Sequence, residues 1–260
     1  MFLPRRRAGG YVRPVRLETT LVGNGPRRIG LVHGLGVDSS TWEPFIEQLR
    51  AAGEVTVFAP DLRGHGRSPR PDSWGLAEFA DDLVETLPPD LDVVVGHSLG
   101  GAVLAAAVER LRPGHAVYLD PGFQLGLPTS GLRGRLFWAA PALTLGVAAL
   151  ITARSNAAAR KGYPERTRRL LADATARFDK RMATSVFRDI AFHPVVAARP
   201  LVPSTVVLSA DSKAVLPEAL ATALTGFGWD VRRLPHLHHD MHLQDPAATF
   251  ALLRDVLLGE

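Results

Sequence analysis

Gly96-His97-Ser98-Leu99-Gly100-Gly101 is the stretch whose reading decides the fold. It follows Asp92-Val93-Val94-Val95, a short apolar run that predicts a buried strand. It precedes residues 102–108, an Ala-rich run that predicts a helix. Strand, sharp turn and helix give a G-x-S-x-G match the setting of a nucleophile elbow. A serine in such a turn has strained backbone angles, and its hydroxyl stands clear of the sheet. A Cβ at position 96 or 100 would collide with the neighbouring strand and helix, which suits glycine. The helix start aims N–H groups and a positive dipole end at the place where an oxyanion would develop. The competing reading is a Gly-rich turn with an incidental serine.

Working outward, His33-Gly34-Leu35-Gly36 follows the apolar run Ile29-Gly30-Leu31-Val32, and Asp61-Leu62-Arg63-Gly64-His65-Gly66-Arg67-Ser68 follows residues 55–59. With the elbow and the segment from His239 to Pro246, these motifs come in an order that resembles the α/β-hydrolase superfamily. The resemblance covers nearly the whole chain from about residue 11. It implies an α/β fold: a mostly parallel sheet with helices on both faces and a helical cap insertion. The implied division is a core over 11–121, a cap over 122–199 and the rest of the core over 200–260.

The resemblance also implies site residues. Ser98 is the nucleophile, and the backbone N–H groups of Leu35 and Leu99 are the oxyanion donors. The family carries its histidine about seven residues before a proline that begins the last helix, which selects His239 before Pro246. A glycine usually precedes that histidine; here His238 does, which leaves His238 as an alternative. His242 matches a common second histidine and is expected to pack. The family's acid follows the penultimate strand as Gly-x-x-Asp. This chain has Ser209-Ala210-Asp211-Ser212, so the carboxylate comes one residue early. Asp211 is the expected acid, with Asp120 in reserve after the strand that follows the elbow helix. Asp61 and Arg63 are expected to brace loop backbone. His65 is read as structural, although it is a conceivable base.

Length and composition agree with one large α/β domain. The chain has 260 residues, 46% hydrophobic and 22% charged, with a formal net charge of +4. It contains no cysteine, which excludes disulfides, thiol catalysis and cysteinyl metal sites. Arg5-Arg6-Arg7 is a weak nucleic-acid signal and reads as part of a solvated tail over residues 1–10. No apolar core follows these charges, so no signal peptide is expected and a cytoplasmic enzyme is the default.

Along the chain, residues 11–22 suggest a half-exposed strand or hairpin. Ser40 and Glu43 suggest a capping box for a helix to about Ala52. A helix over about 75–87 carries Leu76, Phe79, Ala80, Leu83 and Leu87 on one stripe. Alternation of strands and helices lapses between Gly122 and about Arg199. Within that insertion, residues 136–153 lack charge, but Pro141 and Gly146 interrupt them. They are read as apolar cap helices lining a pocket rather than a membrane span, with a lid touching lipid as the alternative. The arginines of the cap are read as a solvated face. A strand over 204–209, a helix from about 217 to 224, a short strand over 231–234 and a helix from Pro246 to about Leu258 complete the pattern.

His236-x-His238-His239-Asp240-x-His242 resembles the His-x-His-x-Asp-His motif of metallo-hydrolases, but it departs by one inserted residue and no other ligand-rich segment completes it. Neither metal nor cofactor is expected. The expected function is hydrolysis of a carboxylic ester, or a related acyl bond, of a small hydrophobic substrate through an acyl-enzyme. Acyl transfer on the same triad and non-catalytic ligand binding are the alternatives. No nucleic-acid partner and no stable membrane insertion are expected; the oligomeric state is unassigned.

Overall fold

A computed structural model describes residues 13–141, 143–145 and 160–260. The expectations for the tail and for the later part of 136–153 lie outside these residues. Among the described residues, seven strands form one sheet. They are β1 (Thr19–Val22), β2 (Arg27–Val32), β3 (Val55–Pro60), β4 (Val93–His97), β5 (His115–Leu119), β6 (Ser204–Ser209) and β7 (Asp230–Leu234). Their order across the sheet is β1-β3-β2-β4-β5-β6-β7. Only β1 runs antiparallel, on the edge beside β3. Of the strand expected over 11–22, the described part shows β1 alone in the sheet.

The apolar runs form parallel strands because both faces are covered. Side chains alternate between faces along each strand. Val93 and Val95 join Ile29, Leu31 and Val57 under α1 (Glu43–Ala52) and the C-terminal helix (Pro246–Leu258). Val94 faces the other way with Val32, Ala116 and Val206, under α2 (Leu76–Thr86) and α3 (Leu99–Leu111). The expected stripe of α2, Leu76, Phe79, Ala80, Leu83 and Leu87, is buried there.

The start of α1 differs from the expected capping box. Asp38 is the cap: its carboxylate accepts from the Ser40 N–H, and Ser39–Trp42 forms a single tighter 3-10 turn before α1. Thr41, inside that turn, bonds back to the Asp38 carbonyl, so the polar anchor sits two residues before Ser40.

Between β5 and β6 the described helices are α4 (Gly131–Ala139), α5 (Glu165–Ala176) and α6 (Ala183–Phe192). Most arginines here are exposed, as expected of a solvated face, and some also pair with distant carboxylates. Arg166 reaches Glu43 and Glu47 of α1, Arg177 reaches Asp38, and Arg160 reaches Asp240. After β6 come α7 (Glu218–Gly226), β7, the short α8 (Met241–Gln244) and α9 (Pro246–Leu258). No helix among the described residues is long and apolar enough to cross a membrane.

Candidate active site

Parallel strands gather the ends of their loops at one edge, and here the carboxyl ends of β2, β4, β5 and β6 meet. Ser98 joins β4 to α3 with φ 52° and ψ −114°, a backbone conformation that L residues rarely hold. Its backbone is tied on both sides. The Ser98 N–H donates to the Leu119 carbonyl, and the Ser98 carbonyl accepts from the Gly101 and Gly122 N–H groups. The neighbouring glycines leave room for this turn. A Cβ on Gly100 would lie 2.3 Å from the Val32 carbonyl oxygen, and one on Gly96 2.5 Å from the Gly100 carbonyl oxygen.

His239 arrives from the loop after β7. Its Nε2 accepts from the Ser98 hydroxyl at 2.9 Å, and its Nδ1–H donates to the Asp120 carboxylate at 3.2 Å. Burial alone would lower the His239 pKa, but the hydrogen bond and charge of Asp120 outweigh it and raise the pKa above its ordinary value.

The partner of His239 therefore differs from the one expected. Asp211 does not face His239; its carboxylate lies 2.7 Å from Nδ1 of His238, and both side chains are about half exposed. Asp120 is fully buried at the end of β5, with φ 37°. One carboxylate oxygen accepts from the Ser209 N–H at 2.8 Å, and the other takes the Ser209 hydroxyl. Ser209 thus stands where the family pattern puts glycine and braces the carboxylate of the neighbouring strand. Its hydroxyl also accepts from the Asp211 N–H at 3.0 Å. The early position of Asp211 was the sequence signal for this arrangement. The role of Ser209 carried none.

The loop after β2 lies against Ser98. A Cβ on Gly34 would sit 3.2 Å from Ser98 Cβ, so the backbone leading into Leu35 passes directly beside the serine. Leu99 opens α3, where N–H groups lack helical acceptors. Two buried histidines hold the adjoining loops. His33 donates from Nδ1 to the Gly34 carbonyl and accepts at Nε2 from the Leu62 N–H. His65 donates from Nδ1 to the Arg63 carbonyl and accepts at Nε2 from the Gly36 N–H. Burial keeps both neutral, with His65 lowered to about 3. His65 is thereby committed to backbone. Asp61 accepts from the Ser39 and Arg67 N–H groups, while Arg63 forms a fully buried ion pair with Asp82.

The C-terminal histidines have separate partners. His238 faces Asp211, His239 faces Asp120 and Ser98, and the His242 ring lies against Trp42 and His97. Among the described residues no three His, Asp or Glu side chains form a group able to hold a metal ion.

The sequence and the fold have counterparts in known proteins. The model of a family described as "Alpha/beta hydrolase family" matches residues 31–252. The lipase LipV of Mycobacterium tuberculosis is 39% identical over 108 residues, which cover 39% of this chain and 40% of that protein. A pimeloyl-[acyl-carrier protein] methyl ester esterase of Pseudoalteromonas atlantica is 36% identical over 123 residues, covering 45% and 46%. The chain thus spans less than half the length of these curated relatives. Among solved structures, a hydrolase from Oleispira antarctica superposes with a TM-score of 0.72 at 17% identity, covering 94% of this chain and 96% of that one. An enol-lactonase from Burkholderia xenovorans gives 0.69 at 23% identity, covering 94% and 96%.

Proposed function

This chain belongs to the alpha/beta hydrolase family, and on that premise we propose that it is a serine hydrolase cleaving a carboxylic ester of a small hydrophobic substrate through an acyl-enzyme. One observation carries the reading: Ser98 Oγ, His239 and the buried Asp120 carboxylate form a continuous line of contacts at 2.9 and 3.2 Å. A serine hydroxyl is a poor nucleophile until a base takes its proton. His239 Nε2 takes that proton as Oγ attacks the ester carbonyl carbon. The carbonyl oxygen becomes an oxyanion held by the N–H groups of Leu35 and Leu99. Asp120 fixes the Nδ1–H tautomer and stabilises the imidazolium. His239 then returns the proton to the leaving alkoxide. Water attacks the acyl-enzyme with His239 again as base, which releases the acid and restores Ser98.

The ester class is supported by the lipase and methyl ester esterase among the relatives. A hydrophobic substrate is supported by the residues that approach from the insertion. A Cβ on Gly36 or Gly122 would lie 3.9 Å from Phe178 or Ile190 respectively, beside the loops that flank Ser98. Fluorophosphonate labelling, with turnover on a panel of nitrophenyl esters, tests the reading. The wild type is expected to label and to hydrolyse, and Ser98→Ala to do neither. A wild type inert in both assays, or a labelled Ser98→Ala, would overturn it.

A further inference from the structure

His97 stands next to the nucleophile in sequence, yet its side chain points away from the reacting atoms. The ring is 3% exposed and lies among several parts of the site. Its Nε2–H donates to the backbone carbonyl of His239 at 2.9 Å. A Cβ on Gly34 would lie 2.9 Å from its Nδ1, so the opposite edge of the ring abuts the loop that leads into Leu35. Its centroid is 4.8 Å from that of His239 and 4.6 Å from that of His242.

We propose that His97 is a positioning residue: its imidazole ties the His239 backbone to the strand end that carries Ser98 and wedges against the Gly34 loop, so base, nucleophile and oxyanion donors share one frame. The inference rests on the serine hydrolase reading. Asp120 fixes the plane and tautomer of the His239 ring through Nδ1 but does not touch the peptide behind it. The bond from His97 fixes the peptide behind the ring. Arg160 holds the next residue, Asp240, at 2.7 Å. The His239 loop is therefore held at its ring, its carbonyl and its following side chain.

The chemistry of the donor matters as much as its place. A lysine or arginine here would bond the same carbonyl but would put a permanent cation beside His239, which must itself become cationic as it takes the Ser98 proton. Burial, with His242 and His239 close by, holds the His97 pKa well below the ordinary imidazole value. His97 therefore donates a hydrogen bond without adding positive charge. Reactive groups displaced by about 1 Å can lose on the order of 100-fold in rate, so a missing strut acts on chemistry more than on substrate affinity.

Glutamine and methionine have similar length, and only glutamine donates. The test measures ester kcat and KM, the rate of fluorophosphonate labelling, and Tm for His97→Met and His97→Gln, with Trp42→Phe as a packing control. His97→Met is expected to lose about 10- to 100-fold in kcat and labelling rate, with KM within about threefold. His97→Gln is expected to recover most of that loss, and Trp42→Phe to lower Tm without slowing labelling. Equal labelling by His97→Met and the wild type would overturn the inference while leaving the hydrolase reading intact. A wild type that does not label would overturn both. Should His97→Met not fold, His97→Gln decides: a loss of about tenfold or more in kcat at native Tm overturns the inference.

Discussion

Adjacent histidines in one loop each face an aspartate, and the two pairs differ in everything except chemistry. His238 and Asp211 lie 2.7 Å apart with side chains 46% and 51% exposed. His239 and Asp120 lie 3.2 Å apart, with the histidine side chain 29% exposed and the aspartate fully buried. The shorter contact is the less consequential one. An exposed pair competes with water and salt, and it contributes little. The buried carboxylate is shielded from solvent and also accepts from Ser209. It also acts on a ring whose other nitrogen meets Ser98. Burial and connection to Ser98, rather than distance, separate the pair proposed as catalytic from the surface pair.

The largest expected contrast is between the two histidines. His239→Ala should lower kcat/KM for a short-chain ester by about 10^4-fold, because base and leaving-group acid are lost together. His238→Ala should change it by less than about threefold, the effect of losing an exposed pair. Comparable losses in the two would break the comparison.

The same contrast extends to stability elsewhere. Arg63 and Asp82 form an ion pair whose side chains are both fully buried. Arg63→Met should destabilise the fold by about 3–5 kcal/mol in denaturant titration, since it strands a buried carboxylate. Arg254 and Glu260 pair on the surface, about half exposed, and Arg254→Ala should leave the unfolding midpoint unchanged. Equal midpoints for the two variants would show that burial does not decide here.

Smaller effects sharpen the account at the serine and at the base. Ser98 holds a positive φ, so Ser98→Gly should be more stable than Ser98→Ala by about 1 kcal/mol, although both are inactive. Thermal unfolding of the two side by side checks this, and a more stable alanine variant would remove the strain. For pH dependence, the base must be neutral. Asp120 stabilises the protonated form of His239, so activity should rise with pH through an apparent pKa above the ordinary value of about 6.5. Asp120→Asn removes the largest raising influence and leaves the burial, so the acid limb should move to lower pH. A limb that stays in place would detach Asp120 from His239.

Much of this molecule was legible in its residues. The unbroken apolar runs at 29–32, 93–95 and 206–208 mark strands covered on both faces, and glycines 96, 100 and 101 mark the elbow. The spacing between His239 and Pro246 selects the histidine that meets Ser98. The early position of Asp211 marks its departure from the family's acid, but that Asp120 takes the place was not legible, because it rests on contacts between distant residues. Asp120 is 89 residues from Ser209 and 119 from His239, and its positive φ is a backbone property that aspartate tolerates without advertising. The Asp38 cap escaped because Ser40 and Glu43 match a local pattern that a 3-10 turn displaces. The arginines between β5 and β6 are mostly exposed, as expected, but their pairing was not legible because the partners Asp38, Glu43, Glu47 and Asp240 lie far off in the chain.

Steady-state ester hydrolysis by Asp120→Asn and Asp211→Asn, measured in parallel at the optimum pH of the wild type, separates the two carboxylates. Asp120→Asn should lose about 10^3- to 10^4-fold in kcat, and Asp211→Asn should change it by no more than about threefold. A larger loss in Asp211→Asn than in Asp120→Asn would contradict that order.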